Sequence, residues 1–81
     1  HRRKHLQLVP ETLSVRDRMG RIMERVRSGE YVDLKEFFDP DEGRMGLVVS
    51  FIAVLELVRD GVLIIIQNDP GAPIHVKSKD R

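Results

Sequence analysis

The sequence predicts an α+β domain, in which helices come first and a β-hairpin comes last. Two segments with helical hydrophobic spacing, residues 15–28 and 43–60, are each followed by a glycine, the residue that most often closes a helix. A run rich in β-branched residues, Val62 to Gln67, then precedes a turn sequence and a second alternating run. At 81 residues, the chain has the size of one small domain.

The first helix is predicted from Val15 to Ser28. Ser14 stands where a helix cap is expected, and Asp17 follows three residues later, where it can reach back to the exposed amides of the first turn. Gly29 suits the left-handed residue that ends a helix. The apolar residues at helical spacing, which predict its buried face, are Val15, Met19, Ile22, Met23 and Val26.

A very short strand and a second helix are predicted to follow. Residues 31–32, Tyr-Val, form the strand. Asp33 can cap a helix from Leu34 to Phe38, with a glutamate in the reciprocal capping position. The Asp-Pro pair at 39–40 ends this helix, because the residue before a proline is disfavoured in the helical conformation.

The third helix, predicted from Glu42 or Gly43 to Asp60, is apolar almost all the way round. The residues that interrupt its hydrophobic run from Met45 to Val58 are Gly46, Ser50 and Glu56. A surface helix of a small domain needs one apolar stripe and carries polar residues opposite it. This helix has more apolar surface than its own fold uses, which indicates a partner and favours association over catalysis.

A turn of about 100° per residue divides the third helix into two sides. One side is predicted to face the first helix and the hairpin, and it consists of Leu47, Phe51, Val54, Leu55 and Val58. The other side is predicted to meet water, because polar residues mark it near the end of the helix. Its apolar members are Val49, Ile52 and Ala53. We interpret these three as anchors of an interaction surface with Glu56 and Arg59 as its polar rim.

Two alternatives to this interaction surface stay open. Single apolar residues are exposed on every protein surface and need no partner. The second helix or the N-terminal segment can also cover the three predicted anchors. The hairpin raises the same question, because both alternating sets of Val62 to Gln67 are apolar, as in a strand covered on both faces.

The order of elements predicts a winged-helix domain. Residues 68–71, Asn-Asp-Pro-Gly, form a strong turn sequence, and Ile74 to Lys77 alternates like a returning strand. Helix, short strand, helix, helix and hairpin is the winged-helix order, with the third helix in the recognition position and residues 68–73 as the wing. An open helical hairpin that carries a β-ribbon is the less economical alternative.

The winged-helix domain is predicted over residues 14–77, between two less ordered ends. Residues 1–13 begin with the charged sequence His-Arg-Arg-Lys-His and contain a proline, as expected of a linker. Residues 78–81 are predicted to be a frayed tail. Because the first residue is not Met, we interpret the chain as a fragment of a longer one.

Composition excludes several classes of function. The 14 Lys and Arg residues balance the 13 Asp and Glu residues, so no net field attracts nucleic acid or an anionic membrane. The absence of Cys excludes disulfides, thiolate nucleophiles and Cys-based zinc sites, and agrees with a reducing cytoplasmic setting. No segment has the length of a membrane span. We therefore expect a cytoplasmic protein without a membrane partner.

No catalytic, metal or cofactor site assembles from the sequence motifs. His1 and His5 have the spacing of metal ligands on a helix, but they lie in the predicted linker. Residues 39–43 resemble part of a calcium loop without its remaining ligands, and we interpret them as a helix-capping loop. Phosphate-loop and dinucleotide-binding glycine motifs are absent. The sequence therefore predicts a protein that is not an enzyme and binds no cofactor.

A winged helix raises the possibility of DNA binding, which the sequence supports only on its first helix. The third helix offers Arg44 and Arg59 with aliphatic residues between them, whereas base readout needs several polar side chains. The first helix carries three arginines on one face, Arg18, Arg21 and Arg25. They are possible nucleic-acid contacts, and the alternative is an ordinary solvated face. The rival function is thus a nucleic-acid-binding winged helix that uses these arginines.

The residues also carry a resemblance to a known family. The chain resembles the C-terminal domain of segregation and condensation protein A, the family of bacterial kleisin subunits of SMC condensin complexes. The resemblance covers Leu13 to Val76, and its most specific part is VVSFIAVLELV, Val48 to Val58, together with Gln67 and the closing segment Ala72 to Val76. The Gly-Arg-Met-Gly sequence at 43–46 is similar to the proteobacterial branch.

This resemblance implies a function in chromosome condensation and segregation. A kleisin bridges an SMC dimer, and its C-terminal winged helix docks on the ATPase head of one SMC subunit. A central region, absent from this chain, binds segregation and condensation protein B. DNA contact would then be indirect or weak, and the protein would be associated with the nucleoid.

By matching position, the third helix and the strand after it would contact the SMC head. The residues that the resemblance indicates on the helix are Val49, Phe51, Ile52, Leu55 and Glu56. The helical wheel places Phe51 and Leu55 in the core, so they are candidates of second rank. Self-association of the fragment through the same apolar face is a third possibility.

Overall fold

The computed structural model describes residues 14–79, so the linker predicted at 1–13 lies outside the described residues. Two α-helices pack with a three-stranded antiparallel sheet, which confirms the predicted α+β class. The helices are α1, Val15–Arg25, and α2, Gly43–Arg59. The strands are β1, Val32–Asp33, β2, Leu63–Gln67, and β3, Ile74–Ser78.

Helix α1 begins where its cap predicts. The Ser14 hydroxyl accepts a hydrogen bond from the Asp17 amide at 3.2 Å, which satisfies one of the free amides of the first turn. The helix ends at Arg25, three residues earlier than predicted, and the chain continues in turns to Gly29. Gly29 has a φ of 88°, so a glycine is needed here, as the sequence indicates.

The segment predicted as a second α-helix is shorter and tighter than expected. It forms a 3-10 helix, Leu34–Phe37, and a second 3-10 helix, Pro40–Glu42, leads directly into α2. The Asp33 carboxylate accepts from the Lys35 amide at 2.8 Å, as its predicted capping position requires. The proline at 40 leaves too few residues after this cap for α-helical hydrogen bonds to propagate.

Helix α2 ends in a Schellman motif. The Val62 amide donates to the Leu57 carbonyl at 3.2 Å, and the Gly61 amide donates to the Val58 carbonyl at 3.0 Å. Gly61 has a φ of 80°, so the predicted glycine stop is confirmed. Within residues 14–79, neither helix combines the length and the apolar character that crossing a bilayer requires.

The sheet has the order β1-β3-β2, so β3 is its central strand. Strand β3 extends one residue beyond its predicted end, because Ser78, a residue of the predicted tail, pairs with Leu63 and is buried. The amide of Lys79 donates to the Val62 carbonyl at 3.0 Å. Strand β1 begins one residue later than predicted, at Val32, which pairs with Val76.

The hydrophobic core lies between the two helices and one face of the sheet. Its fully buried apolar residues include Ile22, Val26, Val54, Leu63 and Val76. The apolar stripe predicted for α1 is confirmed, since Ile22 and Val26 are completely buried. The other members of that stripe pack partly buried against the core, and they are Val15, Met19 and Met23.

A buried polar network joins both helices to the 3-10 segments between them. The Arg18 guanidinium of α1 donates to both carboxylate oxygens of Glu42 at 2.7 Å, and also to the Ser50 hydroxyl of α2. The Ser50 hydroxyl in turn donates to the Phe37 carbonyl at 2.8 Å. Arg18 is 3% exposed and Ser50 is completely buried. We call Arg18, Glu42, Ser50 and the Phe37 carbonyl the Arg18 network.

Glycine at position 46 makes room for this network. An added Cβ at Gly46 would lie 2.3 Å from the Glu42 Cβ and 2.6 Å from its Oε1 atom. Such distances are far shorter than a van der Waals contact, so a larger residue here must push the Glu42 side chain away from Arg18. The close approach of Glu42 to α2 therefore requires a glycine.

We expect Glu42→Ala to destabilise the domain by about 3 kcal/mol, because it leaves the buried Arg18 guanidinium without its carboxylate partner. Urea unfolding followed by circular dichroism measures the change. The matched control is Arg25→Ala, which removes the Arg25–Glu36 ion pair. Its side chains are 52% and 47% exposed, so this change is expected to cost less than about 1 kcal/mol. Equal losses for the two variants would contradict the importance of the buried network.

We expect Gly46→Ala to destabilise the domain by about 1–3 kcal/mol through overpacking. Helix propensity alone predicts the opposite sign, a gain of about 1 kcal/mol. Gly20→Ala in α1 is the matched control, because no atom lies within 4 Å of its added Cβ. That control is expected to raise the urea midpoint. A rise for both variants would show that Glu42 moves aside at no cost.

Candidate interaction surface

Helix α2 exposes a continuous apolar face. Each of its six large exposed apolar side chains has between 41% and 56% of its surface accessible, and these residues are Met45, Leu47, Val48, Phe51, Ile52 and Leu55. We call this set the α2 face. At about 100° per residue, its members occupy one half of the helix. Contiguous exposed apolar surface of this kind marks interaction sites in small proteins.

The opposite half of α2 forms the packed side of the helix. Its buried residues are Gly46, Val49, Ser50, Ala53, Val54 and Leu57. This half contacts α1, β2 and the second 3-10 helix. The helix is therefore apolar on both halves, although only one half fills the core of this chain and the other half faces solvent.

The predicted rotation of α2 was wrong. Val49 and Ala53, predicted as exposed anchors, are 6% and 0% exposed. Leu47, Phe51 and Leu55, predicted to face the core, belong instead to the exposed α2 face. The centre of the buried half lies about 100° around the helix from the predicted one. Because α2 has apolar residues on every side, its hydrophobic spacing does not predict which side of the helix is buried.

Other residues named for this surface lie where they were expected. Ile52 is exposed, and Val54 on the predicted core side is completely buried. Arg59 is exposed at the end of the helix, and its guanidinium donates to the Glu56 carboxylate at 2.6 Å. Glu56 and Arg59 thus form an ion pair beside the α2 face, in the position of a polar rim.

Strand β2 adds one apolar residue on the side of the helices. Ile65 is 38% exposed and pairs with Val76, which is completely buried in the core. Paired residues on neighbouring strands point to the same face of the sheet. Ile65 therefore lies on the helix-packed face, where β2 forms the open edge and contacts α2.

The three arginines proposed for nucleic acid do not form a cationic stripe. Arg18 is buried in its network and cannot reach a phosphate, so that prediction was wrong for Arg18. Arg25 donates to the Glu36 carboxylate at 2.5 Å. Arg21 is exposed, and it lines a groove of about 400 Å³ together with Arg18, Arg25, Glu36 and Asp39. Two acidic residues therefore lie among the three arginines of this groove, and Arg18 and Arg25 are each paired with a carboxylate.

The loop that resembles part of a calcium site has a structural function. The Asp39 carboxylate accepts from the Asp41 amide at 2.9 Å, and Glu42 holds Arg18. Among residues 14–79, no group of three or more His, Cys, Asp or Glu side chains is arranged to hold a metal ion. His1 and His5 lie outside the described residues.

The Arg18 network was missed in the sequence, although a signal for it exists. Arg18 falls three residues after Val15 and four before Ile22, within the stripe that predicts the buried face of α1. Ser50 likewise falls between buried residues of α2 at helical spacing. A charged residue and a hydroxyl residue inside two facing apolar stripes indicate a buried polar contact.

Comparison with known proteins adds the family. No protein-family model matches the chain. A segregation and condensation protein A from Coxiella burnetii is 44% identical over 69 residues, which is 85% of this chain and 26% of the relative. The same-named proteins of Xylella fastidiosa (strain Temecula1) and Brevibacillus brevis are 40% and 36% identical, over 84% and 72% of the chain.

The chain spans about a quarter of the length of these curated relatives, between 22% and 26%. The matches cover most of residues 1–81 and carry one name in bacteria from different groups. Over the part that it spans, the chain is therefore homologous to segregation and condensation protein A.

Proposed function

We propose that this chain is a non-enzymatic interaction module that docks on the ATPase head of an SMC protein in chromosome condensation and segregation. The observation that carries the proposal is the α2 face, with its six exposed large apolar side chains. The shared name of the relatives supports the process, and the resemblance to bacterial kleisins supports the partner. The domain is proposed to act in the cytoplasm, at the nucleoid.

The chemistry of the α2 face suits association. Its side chains are aliphatic, thioether and aromatic, so they can be desolvated by a partner but cannot transfer protons or activate a nucleophile. Aromatic residues and Met are enriched at the centres of protein interfaces, and charged residues are depleted there. Phe51 and Leu55 lie in the middle of this face, so we propose them as first-rank anchors together with Ile52.

We propose that the architecture is a winged helix. Helix α1, the short strand β1, helix α2 and the β2–β3 hairpin follow in the winged-helix order, with Asn68 to Pro73 as the wing. The 3-10 helix Leu34–Phe37 takes the place of the second helix. In this arrangement α2 is the helix that DNA-binding members use for recognition, here with an apolar surface in place of a polar one.

Nothing in the described residues favours the nucleic-acid alternative. Of the three arginines that motivated it, one is buried and one is paired with Glu36. In the full-length protein we propose that a region outside this chain binds segregation and condensation protein B. Contact with DNA is then indirect, through the assembled complex.

Calorimetric titration of the chain into a purified SMC ATPase head from the same organism tests the proposal. One-to-one binding that persists at high salt is expected, because apolar contacts are not screened by ions. Salt-sensitive binding to duplex DNA with no heat from the head would overturn the proposal. Sedimentation over a range of concentrations shows whether a second copy of the chain competes for the same face.

We expect Leu55→Arg to weaken binding to the head by about 30-fold or more while the domain stays folded, because a cation on an exposed face becomes costly only when docking buries it. The matched control is Tyr31→Arg, which changes an apolar residue of similar exposure, 51%, away from α2. The control is expected to bind like the parent chain. Unchanged affinity for a folded Leu55→Arg variant would show that the head does not contact the α2 face.

A further inference from the structure

Helix α2 could pack in more than one rotation if apolar burial alone decided its orientation. The exposed half carries residues as large and as apolar as the buried half. A rotation of about 100° would bury Leu47, Phe51 and Leu55 and expose Val49 and Ala53. Hydrophobic stabilisation is roughly proportional to buried apolar area and has no direction. Apolar burial therefore distinguishes weakly between these arrangements.

Hydrogen bonds, in contrast, are directional, and the buried half of α2 contains one hydroxyl side chain. Ser50 donates to the Phe37 carbonyl at 2.8 Å and accepts from the Arg18 guanidinium. It is completely buried, so any rotation that breaks these bonds leaves polar groups unsatisfied in the core. On the helical wheel, Ser50 lies about 160° from Val48, on the side opposite the α2 face.

Gly46 provides a second point of attachment on the same side. It precedes Ser50 by one helical turn and packs against the Glu42 side chain, which holds Arg18. Because Glu42 is the N-cap residue of α2 and turns with the helix, a rotation of α2 would move its carboxylate away from Arg18. The contacts of Arg18 with Glu42 and with Ser50 therefore select the same orientation of α2.

We propose that the Arg18 network sets the rotation of α2 and thereby determines which apolar residues are presented to a partner. Arg18, Glu42 and Ser50 act as positioning residues, because Arg18 and Ser50 are buried and the Glu42 side chain is only 14% exposed. The rotational part of this inference stands on the described contacts alone. Its consequence for docking rests on the proposed function.

A small rotational error is enough to affect docking. The side-chain surface of a helix lies about 5–6 Å from its axis, so a rotation of about 20° moves that surface by about 2 Å. Interface packing is as dense as a protein interior, and a shift of this size separates matched surfaces. A helix of uncertain rotation would also bind more weakly, because only part of the population presents the correct face.

The test removes the network while keeping the interior filled. In Arg18→Met/Glu42→Leu/Ser50→Ala, apolar side chains replace every polar side chain of the network, a change that other buried ion pairs tolerate without unfolding. Ser50→Ala alone is the milder second variant, which keeps the ion pair and removes only the hydroxyl contact to α2. Circular dichroism verifies that each variant is folded.

Thiol labelling reads the rotation directly. The chain contains no cysteine, so single substitutions Val49→Cys and Leu55→Cys report separately on the buried and exposed halves of α2. With the network intact, Leu55→Cys is expected to react about 100-fold faster than Val49→Cys, because buried positions are protected by the folded structure. In the triple variant, which lacks the network, this ratio is expected to fall by about 10-fold or more. A smaller fall is expected for Ser50→Ala.

Docking provides the second readout. Removing the network is expected to weaken binding to the SMC head by about 10-fold at a temperature where the domain is folded. The double change Arg25→Ala/Glu36→Ala removes an exposed ion pair between α1 and the 3-10 helix Leu34–Phe37 and is expected to leave both the labelling ratio and the affinity unchanged.

An unchanged labelling ratio in a folded network variant would overturn the inference and leave the network a purely structural feature. This outcome is distinguishable from failure of the proposed function, because labelling needs no partner. If the ratio falls but Leu55→Arg does not affect binding to the head, the rotational inference stands and head docking through this face fails.

Discussion

The buried guanidinium of Arg18 is the constraint around which the described structure is organised. Removing a charged group from water costs several kcal/mol unless its partners have good geometry. Glu42 supplies two carboxylate contacts at 2.7 Å, and Ser50 and the Phe37 carbonyl supply further oxygens. These partners come from α2 and from both 3-10 segments. The positions of the loop and of both helices are therefore tied to the satisfaction of one side chain.

This constraint matters because α2 has two apolar surfaces to present. A helix with one apolar stripe is oriented by its own amphipathicity, but a helix that must also anchor a partner loses that contrast. A few buried polar contacts can restore a unique arrangement, as a single buried polar residue does in some coiled coils. In this chain Ser50 and Gly46 provide the asymmetry, on the side of the helix away from the α2 face.

The same physics explains which features could be predicted from the sequence. Ser14, Gly29 and Gly61 act locally, and the helices next to them begin and end within a few residues of the predicted limits. The apolar stripe of α1 is flanked by charged residues, so the burial of Ile22 and Val26 was predicted correctly. The rotation of α2 depends on a contact between residues 32 positions apart, Arg18 and Ser50, which no local pattern contains. The prediction of a second α-helix was wrong, because the proline at position 40 leaves a segment too short for one.

The fate of the arginines shows how tertiary packing reassigns charge. Arg18, Arg21 and Arg25 look equivalent on a helical wheel, yet burial removes the first from the surface and Glu36 pairs with the third. What remains exposed and coherent is the α2 face, beside which Glu56 and Arg59 form an ion pair at 2.6 Å. Attraction to a polyanion needs uncompensated charge, whereas apolar association needs a rigid surface in a defined orientation. Burial removes the charge of Arg18 from the surface. Its hydrogen bonds to Ser50 and Glu42 hold α2 in a defined orientation.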